Sequence, residues 1–316
     1  MNYAPVLISV YDRYEHFQLC IASLQGCAGA AETPLYIAID YPKQDSGLEK
    51  HAKIVGFAKS ITGFGHLTLF IRDHNLGSRE NIWTARQEIF KSYDRLIFSE
   101  DDNEFAPGFL EYINDSLQYY AGDSNIFAVN GYNYPIKVDD VQSGDVFAFQ
   151  GYCAWGAGMW RDKWSRVDWT RMFARRFLRN PKNLIRTYKL APAYILHFLS
   201  YAWQGRFAGD AIILMNLIKN DWFTLNPVQS LVRNHGCEGS GEHRSQDDRF
   251  SRQSLNPGNP DPSHLLNDPD YRLVLMRLRR YFRLDISACL RFLITCLPFH
   301  ERFQQLVKVA VRHSPL

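Results

Sequence analysis

The sequence predicts an α/β fold: a mostly parallel sheet flanked by helices, with a basic, helical C-terminal extension. Three observations lead there. Short β-rich runs alternate with stretches of helical spacing through the first half of the 316 residues. Four of those runs end in clusters of polar residues. The second half loses the alternation and turns helical and basic.

Taken in order, "PVLISVY" (5–11) reads as a strand, and "YEHFQLCIASL" (14–24) as a helix with Phe17, Cys20, Ile21 and Leu24 on one face. "PLYIAID" (34–40) is a second strand, and residues 47–60 are helical. "HLTLFIRD" (66–73) is a third strand, followed by a helix over 78–90 with Ser78 as its expected N-cap. "RLIFS" (95–99) is a fourth strand. "PGFLEYINDSLQYY" (107–120) is a helix with Pro107 in its first turn and Phe109, Leu110, Ile113 and Leu117 along one face. "IFAVNGY" (126–132) is a fifth strand. A β-α-β-α order implies parallel strands joined by covering helices.

Beyond that point, residues 147–164 are Gly- and Trp-rich, 170–203 are helical, and 209–221 form a helix with Asp210 at its start. Residues 236–262 read as a loop that closes over a ligand. The expected organisation is a catalytic domain over 1–262, in halves 1–135 and 136–262, and a helical extension over 263–316.

Composition narrows the class. Six scattered cysteines without a CxxC pair read as reduced core residues of a cytoplasmic protein. The N-terminus shows no basic n-region or cleavage site, which predicts no signal peptide. No apolar run reaches the roughly 18 residues of a membrane span. Residues 170–189 hold seven Lys/Arg and no acid, and residues 271–316 hold nine against two acids, so the rest is net acidic. Such asymmetry suggests an anionic partner for the basic segments, or ordinary solvated helix faces. An acidic sheet rim argues against nucleic acid.

The stretch "RLIFSEDDNEFAPGF" (95–109) drives a buried strand into three carboxylates, Glu100, Asp101 and Asp102. Adjacent acids resist burial unless something neutralises them. Ligands of open α/β sheets sit beyond the carboxyl ends of the strands. The other strand ends carry Tyr11-Asp12-Arg13, Asp40 and Arg72-Asp73-His74-Asn75. Asp and Glu oxygens suit Mg2+ or Mn2+, which take one or two carboxylates and leave the remaining positions to phosphate.

On these residues the chain resembles the GT-A-fold, nucleotide-sugar-dependent glycosyltransferases of bacterial polysaccharide assembly. The resemblance covers roughly residues 5 to 245. "SEDDNEFAPGFLEYI" resembles the Glu-Asp-Asp variant of the family's DxD motif, and "FIRDHNLGSRENI" its R-x-x-N-x-G segment. "CAWGAGMWRDKW" resembles its W-G-x-x-x-W-R-x-x-W motif, and "LVRNHGCEGSGEHR" its late N-x-G…G-x-H segment. The resemblance implies that Asp102 binds Mn2+ or Mg2+, and that Asp101 and Glu100 hold donor hydroxyls. It places Asp12 and Asp40 near the nucleobase and Arg72 and Asn75 along the donor. It gives Trp155, Gly156 and Trp160 to the sugar pocket, Asp210 the role of general base, and His243 a diphosphate or metal contact. The implied reaction is inverting transfer of a hexosyl or N-acetylhexosaminyl group to a saccharide or lipid-linked saccharide.

Each residue has a plainer reading. Asp210 suits an N-cap, His243 a solvated loop, Trp155 and Trp160 the core, and Arg72 an ion pair with Asp73. Two other classes stay open: a sugar-nucleotidyltransferase, for which "SVYDRYEHF" lacks the Gly-rich basic loop, and a non-catalytic binder of anionic surfaces. The run "YRLVLMRLRRYFRL" (271–284) with "ISACLRFLITCLPF" (286–299) forms amphipathic helices. They either lie peripherally on the anionic inner face of the plasma membrane or cap the domain.

Overall fold

The computed structural model describes residues 3–141, 145–204, 209–237, 248–284 and 289. The chain divides into two compact units. One comprises Met1–Val167 with Asn220–Arg277, the other Asp168–Lys219 with the residues from Leu278 on.

The first unit follows the expected alternation. Strand β1 (Val6–Val10) leads to helix α1 (Tyr14–Gln25), β2 (Pro34–Ile39) to α2 (Leu48–Ser60), and β3 (His66–Ile71) to α3 (Gly77–Ser92). Then come β4 (Arg95–Glu100), the short β5 (Asn103–Phe105), α4 (Phe109–Tyr119), β6 (Ile126–Asn130), β7 (Val146–Phe149), β8 (Ala157–Trp160) and α5 (Arg161–Ser165). In the second unit lie α6 (Arg171–Arg179), α7 (Pro181–Leu190), α8 (Tyr194–Leu199) and most of α9 (Gly209–Asn220). The chain returns through β9 (Phe223–Pro227), β10 (Val232–Asn234) and α10 (Asp270–Tyr281).

Eight strands form one sheet in the order β3-β2-β1-β4-β8-β6-β9-β7. Strands β3, β2, β1 and β4 are mutually parallel, β8 is antiparallel to both neighbours, β6 and β9 are parallel, and β7 is antiparallel to β9. The sheet is therefore mostly parallel and flanked by helices, as the β-α alternation requires. Val6, Leu7, Ile8 and Val10 of β1 are all buried, the pattern of a strand covered on both faces. Phe17, Cys20, Ile21 and Leu24 of α1, and Phe109, Leu110, Ile113 and Leu117 of α4, fill the core. Cys20, Cys27 and Cys153 are buried.

Two local expectations are corrected. Ser78 does not cap α3, which starts one residue earlier with no side-chain cap of its own. Its leading amides instead reach Asp40: Leu76 N–H and Gly77 N–H donate to the two carboxylate oxygens, each at 2.9 Å. A carboxylate at the positive end of a helix is favourable whichever strand supplies it. Trp160 lies beside Arg95 at the start of β4, the opposite end of that strand from Glu100. Its Nε1–H donates to Leu117 O at 3.2 Å, and Lys163 Nζ sits 3.6 Å from the ring centre. Lys163 is itself buried and donates to the carbonyls of Tyr120, Asp123 and Ile126.

In the second unit, Thr170 caps α6 by accepting from Phe173 N–H at 3.1 Å. Asn180 caps α7 ahead of Pro181 by accepting from Lys182 N–H at 3.0 Å. The amide of Asn216 ties α9 to Asp168 through two bonds of 3.1 and 3.2 Å. Of the apolar stripe expected along α10, Val274 and Leu278 are fully buried, and Tyr271, Leu275 and Tyr281 are half-buried. No helix among the described residues is long and apolar enough to cross a membrane. The run 286–299 lies outside the described residues, apart from Cys289.

Candidate active site at the edge of β1 and β4

From β1 the chain winds outward through β2 and β3, then returns to place β4 on the other side of β1. The strand order reverses between β1 and β4, and a crevice for ligands opens beyond the carboxyl ends at such a switch point. Arg13 follows β1 there, and Asp101 and Asp102 follow β4.

These three side chains meet. Arg13 Nη1 is 2.7 Å from Asp102 Oδ2, and Arg13 Nη2 donates to Asp101 Oδ1 at 3.2 Å. Both aspartates are buried, and the arginine side chain is 24% exposed. One guanidinium thus faces two buried carboxylates. Burial pushes the Asp101 carboxyl up to about 7, with Arg13 opposing and Asp102 adding to the rise.

The turn is fixed by the small antiparallel pair of β5 and β10, in which Asn103 faces Asn234. Asn234 Nδ2–H donates to Asp102 Oδ1 at 2.6 Å and to Asn103 Oδ1 at 2.9 Å, and His235 N–H donates to Asp102 O at 2.8 Å. Beside it, Arg233 grips Glu104 through two bonds of 2.6 Å. Gly236 is needed for close approach. A Cβ there would lie 2.0 Å from Asp102 Oδ2 and 2.8 Å from Arg13 Nη1. The acidic turn and the late N-x-G segment, with Asp102 and Asn234 132 residues apart in sequence, form one structure.

Glu100 is half-buried and accepts from Trp155 Nε1–H at 3.1 Å. The Trp155 ring packs edge-on against Tyr132 and Phe250. Asp12 is exposed on the same rim.

Other expected residues are engaged elsewhere. Asp40 receives four N–H donors, from Tyr41, Asn75, Leu76 and Gly77, which fills its acceptor capacity. It shapes the Asn75–Gly77 loop and has no oxygen left for a nucleobase. Asn75 is held by Asp40 and by Tyr41 O. Arg72 donates to Asn81 and Thr84 on α3, and does not pair with Asp73. Gly156 has φ +71° and is packed so that a Cβ would strike Phe109 and Val232. It serves the core, and so does Trp160. His243 lies outside the described residues.

No family model and no curated protein matches the chain. Among solved structures it is similar to the mannosyltransferase PcManGT from Pyrobaculum calidifontis in complex with GDP-Man and Mn2+. That likeness has 10% identity and a TM-score of 0.40, over 68% of this chain and 69% of that one. S. aureus TarS is similar at 14% identity and a TM-score of 0.33, over 49% of this chain and 28% of that one. S. aureus TarS 1-349 gives 13% and 0.35, over 50% and 47%.

The residues at the turn fit a hard divalent cation. Asp101 and Asp102 offer oxygen donors, the guanidinium of Arg13 already stands where positive charge is wanted, and one cation leaves one carboxylate uncompensated. Among the described residues no three His, Cys, Asp or Glu side chains converge on a metal position. Magnesium-type ions tolerate this, because water and phosphate oxygens complete their shell.

Asp210 belongs to the second unit, in the first turn of α9. The residue keeps solvent-accessible surface, yet desolvation by the surrounding protein pushes its carboxyl up to about 6. A carboxylate of that basicity is mostly ionised at neutral pH and is a better proton acceptor than an ordinary aspartate.

Arg13, Asn234 and Gly236 are the residues that sequence reasoning left without a role. All three lay inside quoted segments. What sequence lacked was the pairing of β5 with β10.

Proposed function

We propose that the chain is a metal-dependent glycosyltransferase of the GT-A type. It transfers a hexosyl or N-acetylhexosaminyl group, with inversion, from a nucleotide-sugar to a glycan or lipid-linked saccharide in cell-surface polysaccharide synthesis. The observation that carries this reading is the buried pair Asp101 and Asp102, set against a single guanidinium at the switch point between β1 and β4.

In this reading Asp102 and Asp101 hold Mn2+ or Mg2+. The ion, when bound, neutralises the charge that grows on a nucleoside diphosphate leaving group. Arg13 holds both aspartates in place before the donor arrives. Glu100, oriented by Trp155, accepts a hydrogen bond from a donor hydroxyl. Asp40 holds the Asn75–Gly77 loop on the same rim. Asp210 takes the proton from the acceptor hydroxyl, and attack from the face opposite the leaving group inverts the anomeric carbon.

A thermal-shift screen of UDP-, GDP-, CDP- and dTDP-sugars, with and without Mn2+, tests the donor half. One nucleotide class is expected to raise the melting temperature only with metal, by about 2.7 kcal/mol of stabilisation at a hundredfold excess over Kd. Stabilisation by a nucleoside triphosphate with a sugar phosphate, and by no nucleotide-sugar, would move the assignment to nucleotidyl transfer. NMR of the product anomer tests the mechanism, and retention would reject a single displacement.

A further inference from the structure

Helix α7 in the second unit is built inside out. Its buried positions are polar, Asn183 and Thr187, and both are satisfied by carbonyls of α6 and α7. Asn183 Nδ2–H donates to Phe177 O at 3.3 Å, and Thr187 Oγ1–H to Asn183 O at 2.8 Å. Two of its large side chains point outward, Ile185 at 55% and Tyr188 at 53% exposed, while Leu184 and Leu190 are half-buried. On the preceding α6, Met172 is 64% exposed. Leu184, Ile185, Tyr188, Lys189, Ile195 and Arg279 line a shallow depression of about 620 Å³ on this surface. A helix that exposes its apolar side chains while hiding small polar ones is expected to be covered by something else.

Charge selects the cover. Arg175, Arg179, Lys182 and Lys189 are exposed on the same two helices, and no carboxylate among the described residues lies within ion-pair range of them. A second copy would bring these cations face to face. The chain's own residues 286–316 carry four Lys/Arg against one acid, so they supply almost no negative charge to these cations. The occupant must be both anionic and apolar beneath its charge.

We propose that α6 and α7 form a docking surface for an anionic lipid bilayer. Met172, Ile185 and Tyr188 enter the headgroup boundary, and the four cations meet acidic headgroups. Neither helix needs to span the membrane. The surface uses none of the groups assigned to transfer, so docking and catalysis fail independently.

Sedimentation of the full chain with vesicles tests this. Vesicles of phosphatidylcholine with about a third phosphatidylglycerol are compared with pure phosphatidylcholine, at low and high salt. Binding is expected only to the anionic vesicles and weakens with salt. Replacing Arg175, Arg179, Lys182 and Lys189 by Gln reduces partitioning by roughly fivefold per charge. Ile185→Ser with Tyr188→Ser reduces it by about tenfold. Circular dichroism and melting temperature confirm that each variant is folded. Absence of binding to anionic vesicles at low salt overturns the proposal. So does binding that all six substitutions leave unchanged, which would place the contact in residues 286–316. Concentration-dependent dimerisation without lipid, abolished by the two serines, would overturn it in favour of a second copy.

Discussion

The acidic turn after β4 and the basic helices α6 and α7 carry crowded charge of opposite sign, and the fold treats them in opposite ways. At the turn, Asp101 and Asp102 are buried, and the backbone and side chains of β10 and Arg13 are brought to them. On the helices, Arg175, Arg179, Lys182 and Lys189 stay in water with no carboxylate beside them among the described residues. Burial forces a charge to find partners within the protein. Exposure leaves the partner to be found outside it. Substitutions at the turn should therefore act on both stability and ligand, and substitutions on the helices on an external contact alone.

The largest effect should come from Asp102→Ala. The change removes an oxygen donor that Asn234 and Arg13 both hold, and no other described carboxylate is placed to replace it. Metal-dependent donor binding, measured by isothermal titration with Mn2+ and the donor found in the screen, should fall by about a thousandfold or become undetectable, in line with losing a charged ligand group (about 3–5 kcal/mol). Full binding and turnover by the variant would remove the turn from the site.

Asp210→Asn should spare donor binding and lower kcat by about 10²- to 10⁴-fold, the usual worth of a general base. The wild-type rate should decline as pH drops below about 6, where desolvation has placed this carboxyl. The sign follows from the role: a base works deprotonated, so acid switches it off. An unchanged rate would reduce Asp210 to a residue of the first turn of α9.

Gly236→Ala tests the lashing of the turn rather than its chemistry. The added Cβ would sit 2.0 Å from Asp102 Oδ2, so either the carboxylate or the backbone must move. Donor affinity should fall by about ten- to a hundredfold, and stability by about 1–3 kcal/mol, as overpacking of a tight site does. Asp101→Asn tests the charge count. With two buried carboxylates and one guanidinium, removing one negative charge should stabilise the metal-free protein by about 1 kcal/mol at pH 8. Because burial raises the Asp101 pKa, the native state already favours the protonated acid. The gain should therefore shrink as pH falls from about 7 toward the ordinary carboxylate range. A melting temperature lower than wild type at pH 8 would mean that the pair with Arg13 outweighs the excess charge.

Much of the first unit was legible because period and position agreed. The run 34–40 became Pro34–Ile39, 66–73 became His66–Ile71, and the helix over 14–24 buries the four residues its spacing selected. What could not be read were contacts between distant strands. The antiparallel β8, inserted between β4 and β6, hides in a Gly- and Trp-rich stretch with no alternation to mark it. The pairing that sets Trp160 beside Arg95 and brings Arg13 and Asn234 to the acidic turn leaves no local pattern either. The place of Asp40 at a strand end was legible, and the resemblance gave it to a ligand. That its oxygens are filled by the start of α3 depends on how the 75–77 loop folds back, which no local pattern encodes. The outward apolar face of α7 was invisible for a different reason: the spacing of Ile185 and Tyr188 is that of any amphipathic helix, and nothing in it says which side faces water.

The smallest expected effect falls on that helix. Ile185→Ser removes an apolar side chain that is already 55% exposed and leaves the buried Asn183 and Thr187 bonds untouched. Surface changes away from caps and cores usually stay within about 0.5 kcal/mol. The melting temperature in plain buffer should therefore match wild type to within a degree or two. Leu178 of α6 is the contrast: it is buried, and Leu178→Ala should cost about 2–4 kcal/mol. If Ile185→Ser destabilises the isolated protein as much as Leu178→Ala does, residue 185 is part of a packed core. The face then has its cover within the chain, and the distinction between a charge cluster satisfied inside the protein and one left for an outside partner no longer holds.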